Sequence, residues 1–160
     1  MIANQPESKS RKTEISGFII ERTAKRMKQS FKKILKEQHA GITVDQWVVL
    51  QELQKEDGLS QFEIATQTFK DAPTVTRIID LLCKKQLLER LPDAEDRRKF
   101  NIFLTKKGKA KIVQVLPMVE SFRARAWDGL STSEINQLKN SLNTIFKNLI
   151  YLLCHSRVTF

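Results

Sequence analysis

The sequence predicts a mainly α-helical fold with one small β-hairpin. Three observations predict it. Apolar residues recur at spacings of three and four along most of the chain, from Ile15 to Leu153. Three helix-starting boxes, Thr43–Gln46, Ser60–Glu63 and Ser131–Glu134, head such stretches. In each, a hydroxyl accepts from the backbone and a Glu or Gln reaches back. One segment breaks the helical period. From Leu87 to Thr105, Phe100, Ile102 and Leu104 alternate with Lys99, Asn101 and Phe103, as in a strand with one buried face. Pro92 and Asp93 break the first strand of this hairpin and open a charged loop.

The elements follow in order. Residues 1–13 are polar, contain Pro6 and read as a flexible tail. A long helix is expected from Glu14, with Ile15, Phe18, Ile19, Thr23, Met27, Phe31, Ile34 and Leu35 on one face and Gly41 as its end. Its other face, from Arg22 to Lys36, is basic and reads as solvated. Thr43 starts a second helix that buries Trp47, Leu50 and Leu53 and stops at Asp57-Gly58. Ser60 starts a short third helix through Phe69, with Phe62, Ile64 and Ala65 to bury. Asp71 caps the next helix, Pro73 suits its first turn, and Val75, Ile78, Ile79 and Leu82 form its buried stripe to about Lys85. After the hairpin, Thr105 caps a helix through about Trp127, in which Pro117 should cause a kink. The last helix carries a stripe from Ile135 to Leu153, too long for a small lobe to cover, which points to a partner helix.

Composition bounds the function. A chain of 160 residues suits one domain or two small lobes. The net charge of +10 and pI of about 9.8 favour an anionic partner. The excess is densest around the hairpin, where residues 60–111 hold 12 basic against 7 acidic side chains. Cys83 and Cys154 make no disulfide framework, and no apolar run approaches the roughly 18 residues that span a bilayer. With no signal-peptide pattern at the N-terminus, a cytoplasmic protein without a membrane partner is expected. His39 and His155 are isolated, and phosphate-loop and nucleophile-elbow motifs are missing. No enzyme, cofactor or metal site is expected.

A short helix, a tight turn, a second helix and a basic-tipped hairpin in succession are the order of a winged helix-turn-helix. The second helix would enter the DNA major groove. Pro73 can touch a thymine methyl, Thr74 and Thr76 offer hydroxyls, and Arg77 can reach phosphate or guanine. Arg97 or Arg98 at the hairpin tip can enter a narrow minor groove. Ser60, Gln61, Lys70 and Lys99 complete the expected DNA-facing set, with Asp93 and Asp96 orienting the wing arginines.

Residues 43–110 resemble the winged helix-turn-helix of the MarR family (multiple antibiotic resistance regulators). The resemblance rests on Thr74-Val-Thr-Arg-Ile-Ile-Asp-Leu-Leu, Leu87-Leu-Glu-Arg, Asp93-Ala-Glu-Asp-Arg-Arg98 and Leu104-Thr-Lys-Lys-Gly108. It implies a helix reading the major groove through Pro73, Thr74, Thr76 and Arg77, and Arg97 in the minor groove. It also implies a MarR-type domain over 14–160, with a DNA-binding lobe at 43–110 and dimerisation helices at 14–40 and 106–160. The expected function is that of a homodimeric repressor on a pseudo-palindromic double-stranded DNA site. A small-molecule effector, such as an aromatic anion, is implied without a pocket being assigned. Two alternatives stay open: a winged module that binds protein rather than DNA, and a thiol-responsive regulator. Against the second, Cys83 lies beside a buried stripe, and the early first-helix cysteine of thiol-sensing members is missing. One departure stands out. Gln86 occupies the family's helix-ending glycine position, at a cost of about 1 kcal/mol if it stays left-handed.

Overall fold

The computed structural model describes residues 9–93, 96 and 99–155. Among them the chain forms six helices and a three-stranded sheet. Residues up to Phe122 form one compact unit, and those from Arg123 on form a second.

Helix α1 spans Lys9–Glu37. It starts before the expected Glu14 and takes in residues 9–13, which the sequence assigned to the tail. Lys and Arg favour a helix and Ser and Thr oppose it only weakly, so nothing from Lys9 to Thr13 stops it. It also ends before Gly41, because His39 already turns left-handed (φ 50°). The Ala40 N–H donates to the Leu35 carbonyl at 2.9 Å and the His39 N–H to Lys36 at 3.1 Å, which closes the last turn. Phe31 and Leu35 are buried, and Phe31 stacks on Phe122 at 5.3 Å. Phe18, Ile19 and Ile20 are exposed.

Helix α2, Val44–Lys55, has the expected capping box. Gln46 has a second task. It is 3% exposed, and its Oε1 accepts from the Thr43 N–H and from Lys85 Nζ at 2.9 Å. One amide thus starts α2 and anchors the far end of α4. Strand β1, Leu59–Ser60, was not foreseen, because two residues carry no periodicity. It pairs antiparallel with β3. Helix α3 is Gln61–Thr68 and α4 is Ala72–Lys84, each with its expected cap. Strand β2, Leu88–Pro92, pairs with β3, Phe100–Leu104, in the register Leu88↔Leu104 to Pro92↔Phe100, and the sheet order is β1-β3-β2. Helix α5 is Lys106–Ala126, with Pro117 inside it, and α6 is Thr132–His155 behind the Ser131–Glu134 box.

The core of the first unit joins Trp47, Leu50 and Leu53 of α2, Ile64 of α3 and Val75, Ile78, Ile79 and Leu82 of α4. Ile102, Leu104, Ile112 and Val115 complete it. Phe62 does not join them. It is 78% exposed, because position 62 lies in the first turn of α3, on the side away from Ile64 and Ala65. Phe100 is also half out of the core, since the buried face of β3 ends at Ile102.

Gln86 keeps the left-handed conformation, with φ 59°. The Leu87 N–H donates to the Leu82 carbonyl at 2.9 Å and the Gln86 N–H to Cys83 at 2.8 Å. Gln86→Gly is therefore expected to raise stability by about 0.5–1 kcal/mol, the relief of strain exceeding the extra freedom of the unfolded chain. Urea denaturation measures this; a lowered midpoint would refute it.

Candidate nucleic-acid interface

The interface is built from two capped helices and a turn between them. The Ser60 hydroxyl accepts from the Glu63 N–H at 3.2 Å, and Glu63 Oε2 accepts from the Ser60 N–H at 2.8 Å. The Ser60 N–H, and after it the Ser60 hydroxyl, which donates to Oε2 at 2.7 Å, hold the Glu63 carboxyl below its usual range. Helix α3 ends in a left-handed Phe69 (φ 52°), after which the Lys70 N–H returns to the Ala65 carbonyl. Asp71 then accepts from the Thr74 N–H at 2.8 Å and begins α4. The Thr74 N–H, and after it the Thr74 hydroxyl, pull the Asp71 carboxyl down.

Burying Val75, Ile78, Ile79 and Leu82 turns the opposite side of α4 outward, so Pro73, Thr74 and Arg77 are exposed and Thr76 is half-buried. Both threonine hydroxyl protons are already committed, from Thr74 to Asp71 Oδ2 at 2.8 Å and from Thr76 to the Ala72 carbonyl at 3.0 Å. In this geometry they offer lone pairs, which suit the amino groups of adenine and cytosine better than phosphate.

Lys70 is turned aside. Its Nζ lies 2.7 Å from Asp45 Oδ1, which Lys28 also approaches at 3.0 Å. Burial pushes the Asp45 carboxyl up, but bonds and charge from Lys70 and Lys28 outweigh it and hold the group below its usual range. Gln61 Oε1 accepts from Arg90 at 3.1 Å. Lys99 is exposed, with Nζ 3.9 Å from Asp96 Oδ2. Arg97 and Arg98 lie outside the described residues. Asp93 organises the root of the loop: its Oδ1 accepts from the Asp96 N–H at 3.0 Å and its Oδ2 from Asn101 Nδ2 at 2.8 Å. Among the described bonds, its carboxylate thus holds loop backbone and a strand amide.

Sequence reasoning missed Arg90. It pairs with Ile102, so its side chain leaves the core-facing side of β2, and Nη2 reaches Asp80 Oδ1 of α4 at 2.7 Å. The Leu-Leu-Glu-Arg strand contained the signal, since Arg90 shares parity with the buried Leu88. Around Arg90 opens a groove of about 750 Å³, walled by Ser60, Phe62, Thr76, Lys99 and Phe100.

A second cavity, about 580 Å³, lies between α1 and the start of α2. Lys28, Lys32, Lys36, Lys85 and His39 ring its apolar Leu35, Ile42 and Val44. Trp47 belongs to the core instead. Burial first, then repulsion from Lys111, pulls the Lys85 ammonium below its usual range. Burial pushes the half-buried Cys83 thiol up, Arg90 opposing it, so it favours the unreactive protonated form. Among the described residues, no group of His, Cys, Asp and Glu is arranged to hold a metal, and no helix is long and apolar enough to cross a membrane.

Residues 40–99 match the model of the MarR family. The HTH-type transcriptional repressor IacR of Pseudomonas putida is 25% identical over 139 residues, covering 87% of this chain and 82% of that protein. BpsR of Bordetella bronchiseptica, whose DNA binding is regulated by 6-hydroxynicotinic acid, aligns with a TM-score of 0.70 and 26% identity, over 81% of this chain and 97% of that one. A cysteine-to-serine variant of Escherichia coli MarR in complex with operator DNA aligns with a TM-score of 0.77 and 22% identity, over 87% and 99%, a likeness of fold. Helix order, capped helix-turn-helix and antiparallel wing agree with these likenesses: residues 40–99 are similar to the MarR family, and the fold is that of its solved members.

Proposed function

We propose that this chain is a dimeric repressor that binds a pseudo-palindromic DNA operator and releases it on binding an amphiphilic anion. The observation that carries the reading is the outward face of α4, where Pro73, Thr74 and Arg77 stand exposed at a capped helix start. Ser60 and Gln61 at the head of α3, Lys99 beside the wing and Arg97 and Arg98 in its loop complete the proposed contact set. Lys70 has a lesser part, because Asp45 already engages its charge. A second copy of the chain is the partner proposed for α6, whose Leu142, Ile145, Phe146 and Leu149 are exposed. The cavity ringed by Lys28, Lys32, Lys36 and Lys85 around an apolar floor suits a small aromatic carboxylate.

The test is selection of bound duplexes from random DNA, followed by affinity titration against salt, with and without benzoate. The expected result is a two-fold symmetric site and an affinity that falls steeply with salt, through release of counterions from the phosphates. Added benzoate should weaken binding. Failure to enrich any sequence, or an affinity flat in salt, would overturn the reading in favour of a protein-binding module. Loss of the benzoate effect alone would overturn only the effector assignment.

A further inference from the structure

Arg90 ties together three pieces that each contribute to the proposed DNA surface. Its backbone belongs to β2, the strand that leads into the wing loop. Its guanidinium Nη2 lies 2.7 Å from Asp80 Oδ1, on α4 one turn beyond Thr76 and Arg77. The same nitrogen donates to Gln61 Oε1 at 3.1 Å, in the first turn of α3. Arg90 also pairs across the sheet with Ile102, a fully buried residue of the central strand, so its root is held rigidly. The planar fork of a guanidinium is the side chain suited to spanning such acceptors at once.

The pair is not built as a stabilising core bridge. Both side chains are partly open to solvent, 32% for Arg90 and 47% for Asp80, and exposed ion pairs contribute little to folding. What the contact does fix is relative position. Helix α4 must enter a groove while the wing follows the backbone beside it, and a small misplacement of either loses the other's contacts. The Asp80 carboxylate is itself out of place on a surface that meets a polyanion, unless the arginine it engages has a use.

We propose that Arg90 is a positioning residue for DNA reading. Through Asp80 and Gln61 it locks the recognition helix, the head of α3 and the wing root into one register, without itself contacting phosphate. The inference rests on the DNA-binding reading above.

Electrostatics and positioning predict opposite signs for Asp80→Asn. Removing a negative charge near DNA would by itself tighten binding. Loss of positioning weakens it. The full chain is titrated with the duplex that wild-type protein selects and with a scrambled duplex of equal length, over a range of salt, and melting is followed by circular dichroism. Asp80→Asn is expected to bind the selected duplex about tenfold more weakly, to change the scrambled one by less than twofold and to melt within a few degrees of wild type. Arg90→Gln should do the same with an unchanged salt slope, and the double variant should lose no more than either single one. Binding by Asp80→Asn at or above wild-type strength overturns the proposal. So does a salt slope for Arg90→Gln reduced by about one, the mark of a direct phosphate contact. Asp80→Asn changes one half-buried helix position isosterically, so it decides the question even where Arg90→Gln fails to fold. Wild-type protein that selects no duplex would instead strike the DNA-binding reading itself.

Discussion

Gly108→Ala is expected to destabilise the fold by about 2–4 kcal/mol, the upper range for overpacking a tight site. Helix propensity alone predicts the reverse, since Ala favours a helix over Gly by about 1 kcal/mol. The contact decides. Gly108 sits in the first turn of α5, and a Cβ there would lie 2.1 Å from the Leu87 carbonyl oxygen and 3.3 Å from Leu104 Cδ2. That oxygen cannot move cheaply. It accepts from the Thr105 N–H at 3.2 Å, while the Thr105 hydroxyl donates to Gln86 at 2.7 Å and accepts from the Gly108 N–H at 2.9 Å. The Leu-Thr-Lys-Lys-Gly motif is therefore a clasp between the end of the wing and the start of β2. Guanidinium denaturation measures the effect. Gly17→Ala, at a helical site with nothing within 4 Å of the new Cβ, is the control and should be neutral or stabilising. An unchanged or raised midpoint for Gly108→Ala would show that the clasp yields.

Arg77→Ala is expected to weaken binding of the selected duplex by about 1–3 kcal/mol, a loss of roughly fivefold to 150-fold. Arg77 is exposed in the second turn of α4, beside the threonines and opposite the buried Ile78 and Ile79. A guanidinium there reaches base edges or the flanking phosphate once the helix start is in the groove. Lys84→Ala, at the far end of the same helix, removes the same charge but should cost less. A titration at fixed salt separates the two. A change below twofold for Arg77→Ala, or equal losses for both variants, would reassign Arg77 to the general basic field.

Much of the helix-turn-helix is legible in the sequence, for local reasons. A capping box is a bond between residues three apart, so Thr43–Gln46, Ser60–Glu63 and Ser131–Glu134 announce their helices in one dimension. The stripe of Val75, Ile78, Ile79 and Leu82 is similarly a matter of spacing, and it dictates which side of α4 faces out. Elsewhere local signals were insufficient. Phe62 reads as core by its chemistry, yet its place in the first turn of α3 leaves it in solvent. Lys70 reads as a free cation, yet Asp45, distant in sequence, draws it in.

By itself, then, the sequence determined the helices, the hairpin alternation, the core stripe of α4 and the basic character of the wing. Propensity, capping and periodicity act over a few residues and need no partner from afar. Only the tertiary structure decided the two-residue strand β1, the exposure of Phe62, the capture of Lys70, the need for glycine at 108 and the reach of Arg90 to Asp80 and Gln61. Each depends on residues brought together across long stretches of chain, where the nearest atom in space is not the nearest in sequence.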